Sequence, residues 1–97
     1  MSLLEIARDH PAFDGHFPGE PVLPGVVLLA VALARVEAET GISMRDRTLE
    51  SCKFHGAVRP GARVEISHAP HANGARRFEV REQARLVASG TIAPPTP

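Results

Sequence analysis

Asp14-Gly15-His16-Phe17-Pro18-Gly19-Glu20-Pro21-Val22-Leu23-Pro24-Gly25 runs without a break into Val26-Val27-Leu28-Leu29-Ala30-Val31-Ala32-Leu33-Ala34. The first part sets one histidine among prolines, which fix φ, and glycines, which let backbone approach backbone closely, so its shape is narrowly constrained. The second is apolar and opens on a Pro-Gly pair. Pro24 suits the first turn of a helix, where its missing N–H removes no bond. The N–H groups behind it, near Gly25 and Val26, have no carbonyl to bond within a helix and offer a position for an anion or a developing oxyanion. The pattern predicts a helix over Gly25 to Thr40, with Gly41 just past its end. Its first ten positions are apolar all round, and Arg35, Glu37 and Glu39 enter only in the last turns. Such a helix is surrounded by protein, so the rest of the chain is expected to wrap it.

Outward from that helix the chain reads as strands. Ser2 to Arg8 alternates, with Leu4 and Ile6 on one face and Leu3, Glu5 and Ala7 on the other. Pro11 pushes His10 towards extended geometry and ends that segment. Beyond the helix, Thr48 to Ala57 is one strand and Arg59-Pro60-Gly61 a turn. Arg63 to Ala69 alternates, with Val64 and Ile66 facing one way. Asn73-Gly74 predicts a two-residue hairpin turn into Ala75 to Glu82. Ala84 to Ile92 places Leu86, Ala88, Gly90 and Ile92 on one side, and Pro94-Pro95-Thr96-Pro97 cannot continue a ladder. One helix followed by a meander of antiparallel strands makes an α+β domain over residues 1–93, its sheet curled around the helix, with a Pro-rich tail at 94–97.

Composition removes several function classes. Lys+Arg and Asp+Glu balance at eleven each in 97 residues, which argues against nucleic acid or an anionic membrane as the main partner. The single cysteine, Cys52, cannot form an internal disulfide. No basic-then-apolar leader is visible at the N-terminus, and Val22 to Ala34 is shorter than a bilayer span. A soluble, cytoplasmic domain without a membrane span is expected. His10, His55, His68 and His71 lack metal-ligand spacing, so no metal and no cofactor is expected, and they read as exposed strand-end residues. Cys52 reads as a small core residue. Arg76-Arg77 reads as a solvated edge, with contact to an acidic protein as the alternative.

Gly15-His16-Phe17-Pro18-Gly19, a spacer, then Leu23-Pro24-Gly25-Val26 and an apolar helix resemble the active-site segment of the (3R)-hydroxyacyl-[acyl-carrier-protein] dehydratases. Cys52-Lys53-Phe54 with Val58-Arg59-Pro60-Gly61 resembles that family's next strand and turn, and Val87-Ala88-Ser89-Gly90 its last strand, so the similarity covers most of the chain. The resemblance implies the hotdog fold, an antiparallel sheet wrapped around one long central helix. It implies that His16 is the base that removes a proton next to a thioester carbonyl, a role suited to a side chain titrating near neutrality. It also implies that the Gly25 and Val26 amides polarise that carbonyl, and that Phe17, Pro18, Gly19 and Leu23 bind the substrate. The substrate would be an acyl-carrier-protein or coenzyme A thioester of fatty acid, polyketide or aryl-polyene-type biosynthesis.

One part of the family's machinery is missing. Its members carry Glu or Asp fourteen residues after the histidine, and that position here is Ala30. Loss of a general acid typically costs roughly 10²–10⁴ in rate. Glu37 lies seven residues further along the helix, about 10 Å at 1.5 Å per residue, and cannot substitute without moving the helix. Asp14 and Glu20 read as solvated carboxylates of the histidine loop. In the family the histidine of one subunit faces the carboxylate of the other, so a partner chain carrying the acid would complete the site around His16. Free strand edges also favour pairing with another sheet, and a dimer, homotypic or heterotypic, is expected. The functional expectation is a 3-hydroxyacyl-thioester dehydratase. Its alternatives are a non-catalytic acyl-binding or partner subunit, or a hotdog thioesterase.

Overall fold

The computed structural model describes residues 2–6, 25–44, 47–59 and 61–94. Along the chain these form β1 (Ser2–Glu5), α1 (Gly25–Thr40), β2 (Leu49–Phe54), β3 (Arg63–Pro70), β4 (Arg76–Glu82) and β5 (Arg85–Ile92). The helix begins and ends where the Pro-Gly pair and Gly41 predict. Gly41 takes φ +73°, the left-handed value that suits glycine, and its N–H donates to the Glu37 carbonyl at 2.8 Å.

The strands join into one antiparallel sheet of order β1-β3-β4-β5-β2. β3, β4 and β5 form the expected meander. β2 does not follow in sequence order, because it crosses to the far side of β5 and leaves β1 and β2 as the two edges. The β3–β4 hairpin turns on Asn73 (φ 61°) and Gly74 (φ 81°), both left-handed as a two-residue turn of this hand requires. The Ala75 N–H donates to the Ala72 carbonyl at 3.2 Å, while His71 rather than Ala72 bonds back to Ala75, so the connection carries one extra residue. The Arg59–Gly61 turn closes with Ala62 N–H on the Arg59 carbonyl at 3.1 Å and is tied to β1 through Gly61 N–H on the Ile6 carbonyl at 2.7 Å.

Register determines which side chains face α1. Antiparallel partners share a face, so the pairings Ile66–Val80, Val80–Ala88 and Ala88–Phe54 line up across the sheet, as do Phe78–Gly90 and Gly90–Cys52. Val64, Ile66, Phe78, Val80 and Ala88 are buried there with Leu28, Ala32 and Val36 of the helix. Gly90 is required by this packing: a Cβ on it would lie 2.6 Å from Phe78 Cε1 and 2.7 Å from the Ser51 carbonyl oxygen. The Phe78 ring therefore lies across the middle of β5. Both faces of β5 are buried, with Val87, Ser89 and Thr91 covered as well as Ala88, Gly90 and Ile92. The expected one-sided alternation is lost where residues after β2 lie against β5: His55 Nε2 is 3.3 Å from the Ser89 hydroxyl, and a Cβ on Gly56 would lie 3.8 Å from Val87 Cγ1.

The sheet covers one side of α1. Leu28, Ala32 and Val36, spaced four apart, are buried, whereas Val26, Ala30 and Ala34 on another face are exposed. The expectation that this chain's own residues cover the helix all round is thus met on the sheet side only, since one sheet reaches one stripe of a cylinder.

Candidate active site

The loop that carries His16, with Asp14, Phe17, Pro18, Gly19, Glu20 and Leu23, lies outside the described residues, as do His10, Pro60 and residues 95–97. What is described is the surface the loop leads into. Gly25 opens α1, and the helix has no acidic residue in its first turn to occupy the amides there. Val26 is 71% exposed. Ala30 is exposed one turn further on the same face, so position 30 contributes a methyl group and no carboxyl.

Beside this helix start stands Phe54, the last residue of β2 and half exposed. A Cβ on Gly25 would lie 3.1 Å from both Cε1 and Cζ of the Phe54 ring, closer than ordinary van der Waals contact. Glycine at position 25 therefore lets an aromatic ring reach the helix backbone. In the sequence Phe54 reads as a strand residue with no part in the site. The signal was the two-residue spacing from Cys52, which puts both on the face that meets the helix. Cys52 itself is partly buried, and burial pushes its thiol above the usual range.

The other histidines divide three ways. His71 is exposed, as expected. His55 is exposed too, with Nε2 lying 3.3 Å from the buried Ser89 hydroxyl. His68 differs from expectation. Its side chain is only 13% exposed and sits between two partners, Glu39 Oε1 at 2.9 Å from Nε2 and Arg76 Nη1 at 2.8 Å from Nδ1. A guanidinium can only donate, so Nδ1 accepts and the Nε2–H donates to Glu39. Arg76 consequently belongs to this bridge between α1, β3 and β4. The expected solvated edge at Arg76-Arg77 is not one, because β4 is an interior strand. Glu37 is also engaged: its Oε2 accepts the Met44 N–H at 2.8 Å, which keeps it at the far end of the helix from Gly25. Among the described residues no group of three or more His, Cys, Asp or Glu could hold a metal ion, and no helix is long and apolar enough to cross a membrane.

A five-stranded antiparallel sheet curled over one long helix is a hotdog fold. Solved structures share it. The dehydratase heterocomplex ApeI:P from Xenorhabdus doucetiae superimposes with a TM-score of 0.73 at 22% identity, covering 93% of this chain and 80% of that one. An uncharacterized protein from Erwinia carotovora subsp. atroseptica gives 0.70 at 27% identity, over 93% and 77%. The family model for the ApeI-like proteins, described as ApeI dehydratase, matches residues 2–91, and the chain belongs to that family. It is also similar to proteins named 3-hydroxyacyl-[acyl-carrier-protein] dehydratase FabZ. The one from Alkaliphilus metalliredigens is 32% identical, with 96% of this chain and 72% of the relative covered. The one from Rhizobium leguminosarum bv. trifolii is 32% identical over 73% of this chain, which spans only half the length of that relative.

Proposed function

We propose that this chain takes part in dehydrating a 3-hydroxyacyl thioester, with His16 as base, the Gly25 and Val26 amides as oxyanion donors, and a carboxylic acid supplied by a second chain of the same fold. His16 removes the proton from the carbon next to the thioester carbonyl. The electron pair moves onto the carbonyl oxygen, where helix amides aimed at the developing charge lower its energy. The enolate then collapses, the C2–C3 double bond forms, and the C3–O bond breaks as an acid protonates the departing hydroxyl. Phe17, Pro18, Gly19 and Leu23 line the approach of the carrier arm and acyl chain.

The observation that carries this reading is Ala30. It stands at the acid position, is exposed, and shares with Val26 and Ala34 an apolar helix face that the chain's own sheet leaves uncovered. A second chain laid on that face would both bury it and bring a carboxylate opposite His16. That one solved structural relative is a dehydratase heterocomplex accords with such a partner. Ala30 also favours one other reading, a non-catalytic subunit that holds the acyl chain or supports an active partner.

Turnover of a 3-hydroxybutyryl-carrier substrate separates the two readings, measured with this chain alone and with a hotdog chain that carries the helix carboxylate. The expected result is dehydration by the pair, lost by about 10² or more in His16→Ala of this chain. Equal turnover with and without His16 would leave only the supporting subunit. A sedimentation mass equal to the monomer for every mixture at micromolar concentration would remove the completed site.

A further inference from the structure

The geometry points to Phe54 as a positioning residue for this reaction: its ring braces the first turn of α1 and screens one flank of the Gly25 and Val26 amides from water. The role rests on the site proposed above. Three observations carry it. First, the ring reaches the helix backbone only because position 25 lacks a Cβ, which would lie 3.1 Å from the ring carbons. Second, Phe54 is held from behind. It pairs with Ala88 in the β2–β5 ladder, and the next residue continues the attachment through His55 N–H on the Val87 carbonyl at 2.8 Å. The ring is therefore pressed against the helix by the sheet. Third, it is 50% exposed, whereas Phe78, which serves only the core, is 1% exposed. A ring kept half in solvent against a glycine does more than fill space inside the sheet.

The physical effect is twofold. An apolar wall beside amide donors lowers the local dielectric, which strengthens their interaction with a developing negative charge. A brace on the first turn also limits how far those donors drift from their productive direction. Both effects are larger in the transition state than in the ground state, so they act on kcat rather than on KM.

The test is a cycle of Phe54→Ala, Gly25→Ala and the double variant, with Phe54→Leu as the conservative replacement. All are assayed on the 3-hydroxybutyryl-carrier substrate together with the carboxylate-bearing partner. Phe54→Ala is expected to lower kcat about ten-fold, short of the 10²–10³ that deleting an oxyanion donor costs, with KM within two-fold. Phe54→Leu recovers part of that loss. Gly25→Ala, whose new methyl pushes the ring aside, lowers kcat in the native background and has little further effect once Phe54 is already Ala. Thermal melts of the Phe54 variants stay close to native because the side chain is half exposed. Native kcat in Phe54→Ala overturns the role, as does a loss of kcat that simply follows a loss of folded protein. His16→Ala run alongside distinguishes the failures. A silent His16→Ala, or no turnover by the native pair, removes the site and this role with it, whereas a dead His16→Ala beside a fully active Phe54→Ala removes the role alone.

Discussion

The two ends of α1 are built differently. At the C-terminal end several polar side chains have partners. Thr40 Oγ1 donates to the Val36 carbonyl at 2.8 Å and accepts from Ile42 N–H at 3.2 Å. Gly41 N–H bonds Glu37, the Glu37 carboxylate accepts from Met44, and Glu39 is joined through His68 to Arg76. At the N-terminal end no described side chain bonds the first-turn amides, and what stands there is apolar: Val26, Ala30 and the Phe54 ring. Helix termini leave donors and acceptors unmatched at both ends. Here described side chains tie the C-terminal end to its surroundings, and none of them bonds the first-turn amides. The difference separates a tied end from an untied one along one helix; under the proposed function, the firmly tied end holds the rod in place so that the other can present its amides at a fixed angle.

That contrast can be broken or sharpened by substitution. The largest effect is expected at the open end. Ala30→Glu restores a carboxyl one turn into the helix and should raise dehydration by this chain assayed alone, where a second copy supplies the histidine, by about 10² or more, read as initial rate on the same carrier substrate. No gain would mean the surroundings of position 30 no longer suit that chemistry. At the tied end His68→Leu leaves Glu39 and Arg76 without their shared bridge. It should cost about 1–3 kcal/mol in urea unfolding while leaving kcat of the folded protein within two-fold. A fall in kcat larger than the fall in stability would show that the two ends are not independent. The smallest effect belongs to Gly41→Ala, which forces a side chain into a left-handed backbone and should destabilise by about 1 kcal/mol with no change in turnover.

Much of the fold is legible in particular residues. Pro24-Gly25 and Gly41 mark the helix because proline and glycine act on the backbone locally, and Asn73-Gly74 marks its turn for the same reason. Strand order is not local: nothing in Leu49 to Phe54 says that it docks beside β5 rather than β3. The Glu39–His68–Arg76 bridge is hidden likewise, since its members are brought together only by the packing of α1 on β3 and β4. Periodicity also misreads the helix's exposed face, because an apolar pattern does not say which stripe of the helix the sheet reaches. At the site, the Gly25 start and the missing carboxyl at Ala30 are readable, whereas the Phe54 ring beside them depends on the β2–β5 register. The His16 loop rests on the resemblance of its motif to the dehydratases.

The strand order has a kinetic consequence. β3, β4 and β5 are joined by tight turns, so their pairing closes short loops. β1 must instead bring Ser2 to Ile66 across most of the chain, in a strand only four residues long. Loop closure grows costlier with length, by about 0.6 kcal/mol for each doubling, and few ladder bonds repay it there. The hairpins are thus positioned to assemble early, with β1 zipping on last and peeling away first.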